Sequence, residues 1–186
     1  MRRILLFSAL LLLSNGLFAS TNERLREASF STQFELNQEA LERKNQSVLT
    51  YLWVDVYAAA FYAPTGASPS QAFDAPLSQR LELYYFRNID REDVIEAAWI
   101  TLNRQHHSRT LEPLRKALDA LHENFRDIRP GDRYALNFSP SGGLSVERNG
   151  KIAFTSPDPQ LAKLYLGIWL APKGLSDELR SRLLAQ

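Results

Sequence analysis

The sequence predicts an α+β fold in one domain, layered and built on a mostly antiparallel sheet. Three observations carry this reading. Alternating apolar and polar positions mark strands in "FSTQFELN", "RLELYYFRNI" and "RYALNFSP". Asn149-Gly150 joins two further alternating segments, "LSVER" and "KIAFTS", the strongest local hairpin signal in the chain. Helix-period segments are grouped, not interleaved with single strands, which argues against a doubly wound parallel sheet. At 186 residues with 45% hydrophobic content, the chain suits one globular domain with a sizeable core. No internal repeat and no linker divides it.

The first 19 residues stand apart. Arg2 and Arg3 precede an apolar run from Ile4 to Leu13; Asn15-Gly16 break it, and small residues Ala19 and Ser20 follow. This is the order of a secretory signal peptide, with cleavage expected after Ala19. The run is shorter than the ~20 residues of a membrane span. Residues 1–19 are thus expected to be a signal peptide and 20–186 the folded domain, exported to the periplasm without a stable membrane anchor. Cleavage removes two of the 22 basic residues and none of the 21 acidic ones, leaving a net charge of −1. Such a balance points away from nucleic acid. The chain has no cysteine, so disulfides, thiol catalysis and Cys-based metal sites are excluded.

After a polar leader over 20–28, "FSTQFELN" reads as a half-buried strand. "QEALERKNQS" is polar and reads as a turn or short helix. The stretch from Val48 to Tyr62 is rich in β-branched and aromatic residues and apolar on both alternating sets, so it reads as one central strand covered on both faces. "PTGASPSQAFDAPLSQ" is a loop with room for one helical turn. "RLELYYFRNI" places Leu81, Leu83 and Tyr85 on one face and Glu82, Tyr84 and Phe86 on the other. A helix follows with Asp90 as N-cap and acids in its first turn. A second helix runs from about Thr110 to Phe125, with leucines at 111, 114, 118 and 121. Beyond the 134–156 meander, Asp158 and Pro159 open a helix with a Leu161, Leu164, Tyr165, Ile168, Trp169 stripe, and Ser176 caps a last one.

Catalytic motifs are sparse. There is no phosphate-binding Gly loop and no nucleophile elbow. Adjacent His106 and His107 point about 100° apart on a helix and cannot chelate as an i, i+4 pair does. Neither a cofactor nor a metal is expected. Asp55 lies within an otherwise apolar run and must be paired or protonated. A hydrogen bond to a tyrosine, an arginine or loop backbone is the commoner solution; a catalytic or ligand-contacting role is the alternative. Tyr57, Tyr62, Tyr85 and Trp99 are candidates for an apolar pocket, though aromatics are more often plain core. Arg87, at the end of a strand, could receive a carboxylate.

Four pieces in this order resemble the exported bacterial branch of the chalcone isomerase-like family: "FELN", "VDVYAAAFYAP", "LELYYFRNIDREDVIEAA" and "GDRYALNFSPSGGLSVERNGKIAF…LYLGIWLAPKGLSDELRSRLL". The resemblance implies an open-faced β-sandwich, a large antiparallel sheet with helices on one side. Members that isomerise chalcones use an arginine, a threonine before the "VY" step, a tyrosine, an asparagine and a late threonine. Here the first threonine's place falls near Leu52, the tyrosine and asparagine places near Asp90 and Ala97, and no threonine follows Thr155; the arginine is Arg43 only in a shifted register. Fatty-acid-binding relatives use the same cleft for an acyl chain. The resemblance therefore implies a non-catalytic protein that binds a fatty acid or similar small apolar or amphiphilic ligand. Tyr57, Tyr62, Tyr85 and Trp99 would line the cleft, with Arg43 or Arg87 at the head group. An isomerase or lyase using Asp55 or a tyrosine, and an interaction scaffold with a closed core, are the other two readings.

Overall fold

The computed structural model describes residues 20–75 and 77–186. The expected signal peptide, residues 1–19, lies outside the described residues. Seven strands form one antiparallel sheet in sequence order: β1 (Gln33–Leu36), β2 (Glu39–Tyr51), β3 (Val54–Pro64), β4 (Gln79–Tyr85), β5 (Arg133–Ser139), β6 (Gly143–Arg148) and β7 (Lys151–Ser156). The helices are α1 (Thr21–Ala28), α2 (Pro69–Asp74), α3 (Arg91–Gln105), α4 (Ser108–Leu111), α5 (Arg115–His122), α6 (Pro159–Leu170) and α7 (Asp177–Leu183). The α+β class and the antiparallel sheet are as expected.

Strand alternation gives β3 and β4 two distinct buried faces. Tyr57, Ala59, Phe61, Leu81, Leu83 and Tyr85 join the main core with α3, α5, α6 and α7. Ala58, Ala60, Tyr62 and Phe86 join a smaller second core with Leu25, Ala28 and Phe30. Helix α6 is buried almost all round, and Asp158 caps it by accepting from the amides of Gln160 and Leu161.

Four local readings are corrected. Residues 20–28 are helix, not leader: Ser20 and Glu23 form a reciprocal capping box, and α1 lies on the second face, opposite the other packed helices. "QEALERKNQS" is strand β2, not a turn. Its polar residues obscure the period, but it pairs with β1 and β3 along its length, with a bulge between Arg43 and Asn45. The Val48–Tyr62 stretch is not one strand but a hairpin, turning at Leu52-Trp53 between the paired Tyr51 and Val54. The 110–125 helix is interrupted at Glu112–Leu114 by a 3-10 turn containing Pro113, which lacks an amide donor.

Three two-residue hairpin turns have both central residues at left-handed φ. They are Asn37-Gln38 (50°, 68°), Leu52-Trp53 (46°, 63°) and Asn149-Gly150 (50°, 75°). Asn and Gly tolerate this conformation; Gln38, Leu52 and Trp53 are strained in it by about 1–2 kcal/mol each.

The second face also buries charge. Arg80 donates to Asn137 (2.8 Å) and to both Glu147 oxygens (3.1 Å), and its guanidinium lies 3.9 Å from the centre of the Phe34 ring. Arg133 bridges to Glu82 at 2.7 Å. These contacts hold the curled β1–β2 end over β4–β6.

Candidate functional site

A cavity of about 450 Å³ lies between the main face of the sheet and helices α3 and α6. Its lining comes from one end of the sheet: the β2–β3 hairpin, the β4–α3 junction, the segment leading into β5, and the α6–α7 loop. A β-bulge shapes it. Leu49 pairs with Tyr57 and Thr50 with Asp55, which leaves Val56 as the extra residue. Both Val56 and Tyr57 therefore reach the cavity. Ala97 and Ala98 on α3 supply the small side chains that leave the space open.

Six of the lining aromatics form a closed ring. Tyr57 meets Tyr85 (centroids 5.3 Å apart), Tyr85 meets Tyr134 (6.1 Å), and Tyr134 meets Phe125 (5.7 Å). Phe125 meets Tyr165 (6.4 Å), and Tyr165 meets Trp169 (6.3 Å). The Trp169 indole N–H donates to the Tyr57 hydroxyl at 3.0 Å and closes the circuit. Burial pushes the Tyr57, Tyr85 and Tyr165 phenols well above their ordinary range, so all stay protonated at neutral pH.

Polar groups are few and differ in how they are satisfied. Tyr165 hydroxyl is 3.1 Å from Nε2 of His122, which stands behind the ring. The Tyr134 hydroxyl is buried and makes no well-formed hydrogen bond among the described residues. Burial raises its phenol, and the Arg126 backbone amide acts the other way. Arg126 and Asp93 are the charged lining residues, both exposed. Arg126 is steadied by Nη1 donating to the Glu123 and Phe125 carbonyls at 2.8 and 2.7 Å.

The residues singled out from sequence divide. Tyr57 and Tyr85 line the cavity. Tyr62 is on the opposite face, because an even-numbered position on β3 points away from the odd-numbered ones. Its hydroxyl donates to the Ser31 carbonyl, and burial raises its phenol to about 12. Arg43 pairs across from Tyr62 and donates to the Phe30 and Ser31 carbonyls at 2.5 and 3.3 Å. Trp99 is half-buried outside the lining, between the Arg115 guanidinium and the His122 ring. Arg87 is exposed and also outside the lining. Asp55 is paired: it accepts from the Thr50 hydroxyl (2.8 Å) and from Arg24 Nε (3.1 Å).

In the sequence Tyr165 and Trp169 read as part of a helix's core stripe, and neither they nor Phe125 and Tyr134 read as a site. One signal was present: Tyr165 and Trp169, one helical turn apart, carry polar tips on the otherwise aliphatic buried stripe of their helix.

The family model for chalcone isomerase-like proteins matches residues 22–185, and the chain belongs to that family. No curated protein matches the sequence. Among solved structures it is similar to the crystal structure of an Arabidopsis thaliana fatty-acid binding protein. The TM-score is 0.61 at 16% identity, covering 83% of this chain and 90% of that one. At that identity the likeness shows the fold alone.

Proposed function

We propose that this member of the chalcone isomerase-like family binds a fatty acid or similar small amphiphile in the aromatic-ringed cavity, without converting it, in the periplasm. The cavity carries the reading. Its volume lies within the ~300–1,000 Å³ of small-molecule pockets, and a mostly apolar lining with few polar groups suits an acyl chain. It also favours ligand binding over a scaffold with a closed core. The structural neighbour's title, a fatty-acid binding protein, is consistent with it.

Two observations support binding without turnover. Leu52, near the expected place of the isomerase threonine, sits in an exposed hairpin turn and does not line the cavity. Asp55 is occupied by Thr50 and Arg24. For the head group, Arg126 and the buried Tyr134 hydroxyl stand at the same cavity, whereas Arg43 and Arg87 do not line it.

Native mass spectrometry of protein purified from periplasm, followed by displacement of a fluorescent fatty acid, tests this. Ala98→Phe fills the cavity from α3 at an overpacking cost of about 1–3 kcal/mol and should abolish displacement while the chain still folds. Failure of added fatty acids to bind the unaltered protein would remove the ligand reading. N-terminal sequencing of the periplasmic fraction should begin at Ser20; recovery of an uncleaved chain in the membrane pellet would count against the location.

A further inference from the structure

We propose that the β2–β3 hairpin tip is a lipid-surface contact that seats the cavity mouth on a bilayer. Three independent observations meet there. First, Tyr51, Leu52, Trp53 and Val54 are consecutive and exposed, Trp53 to 83%, Leu52 to 68% and Tyr51 to 67%. Single exposed apolar residues such as Ile100 and Ile152 are ordinary, but four in a row at a projecting turn are not.

Second, the turn lacks the Asn or Gly that each of the other two-residue hairpins among the described residues carries at left-handed φ. Asn37-Gln38 and Asn149-Gly150 place polar or flexible residues at left-handed φ; Leu52-Trp53 places bulky apolar ones there. Folding gains nothing from that choice, since neither side chain is buried in the domain. Strain and exposure retained together point to function.

Third, the tip is continuous with the cavity. Tyr51 and Leu175 are both exposed and both line the cavity, so the opening lies beside the tip. Tryptophan and tyrosine are the residues that settle at a bilayer interface, and leucine and valine suit the acyl boundary below. Exposed Arg87 and Lys173, on loops at this end of the sheet, can meet phosphate head groups. A lipid surface is thus the occupant that fits aromatic tip, cations and amphiphile entrance together. No helix among the described residues is long and apolar enough to cross a membrane.

The test uses vesicles of equal parts phosphatidylcholine and phosphatidylglycerol, with the purified protein and the double variant Leu52→Asn/Trp53→Gly. That variant installs the residues the turn prefers, so it should fold at least as well. The unaltered protein should float with vesicles and shift its tryptophan emission to the blue, because Trp53 is the most exposed tryptophan. The double variant should lose roughly tenfold or more in vesicle affinity. Its displacement of a fluorescent fatty acid in vesicle-free buffer should be unchanged, since neither residue lines the cavity. Vesicle binding is read separately from fatty-acid binding, so either reading can fail alone. Absence of flotation by the unaltered protein overturns the proposal, as does equal flotation by the variant. A self-association lost in the variant, without vesicle binding, would instead make the tip a protein contact and equally overturn it.

Discussion

The Trp169 indole N–H donates to the Tyr57 hydroxyl at 3.0 Å, joining α6 to β3 beside the cavity. Both groups are buried, so the bond fixes two lining rings in one arrangement. Removing the acceptor with Tyr57→Phe strands a buried donor. The expected cost is about 1–3 kcal/mol, read by urea unfolding. A variant as stable as the parent would mean that the indole finds another partner.

Tyr134 and Arg126 make an opposite prediction. The Tyr134 hydroxyl is buried with no well-formed hydrogen bond among the described residues, so Tyr134→Phe should leave stability unchanged or slightly raised. If the hydroxyl meets a ligand carboxylate, the same change should weaken fatty-acid binding by roughly tenfold, about 1.4 kcal/mol. Arg126→Met should do likewise for fatty acids but spare the corresponding fatty alcohol. Equal losses for acid and alcohol would count against a charge contact.

His122 sets a pH dependence. Burial lowers its pKa from 6.5 to about 4, with Asp119 acting weakly the other way. Between those values the unfolded chain binds the proton and the folded one does not, so stability rises with pH there. The neutral form's stability is complete above about pH 6.5 and declines as pH falls towards about 4, by an amount on the order of a few kcal/mol. His122→Gln, which can still face Tyr165, should flatten that slope between about pH 4 and 6.5. An unchanged slope would assign it to carboxylates.

Asp55 answers to Arg24 and Thr50 and thereby clasps α1 to the end of β3. Both ion-pair partners are only about one-fifth exposed, and Arg24 also stacks 4.6 Å from the Phe86 ring centre. Asp55→Asn should cost about 1 kcal/mol, and a double-mutant cycle with Arg24→Met should show coupling of similar size. A fully stable variant that lost a chemical turnover would restore the catalytic alternative.

By itself the sequence determined the elements whose local signals agree with their surroundings. Asn149-Gly150 is a hairpin because both residues tolerate left-handed φ; Asp158-Pro159 starts a helix because one caps and the other needs no donor. The alternation in β4 sorted Leu81, Leu83 and Tyr85 from Glu82 and Tyr84 correctly. The family was legible because several such elements occur in a fixed order.

Only the tertiary structure decided the rest. Leu52-Trp53 carries no turn chemistry, so a hairpin read as a single strand. Strand β2 is held by its two neighbours rather than by its own pattern. Tyr57 and Tyr62 look equivalent along the chain, yet five positions on one strand put them on opposite faces, one in the cavity and one against the Ser31 carbonyl. The ring from Tyr57 to Trp169 draws on β3, β4, β5, α6 and the loop after α5. Its residues are far apart in sequence, and only packing of α6 across the sheet brings their rings within 7 Å.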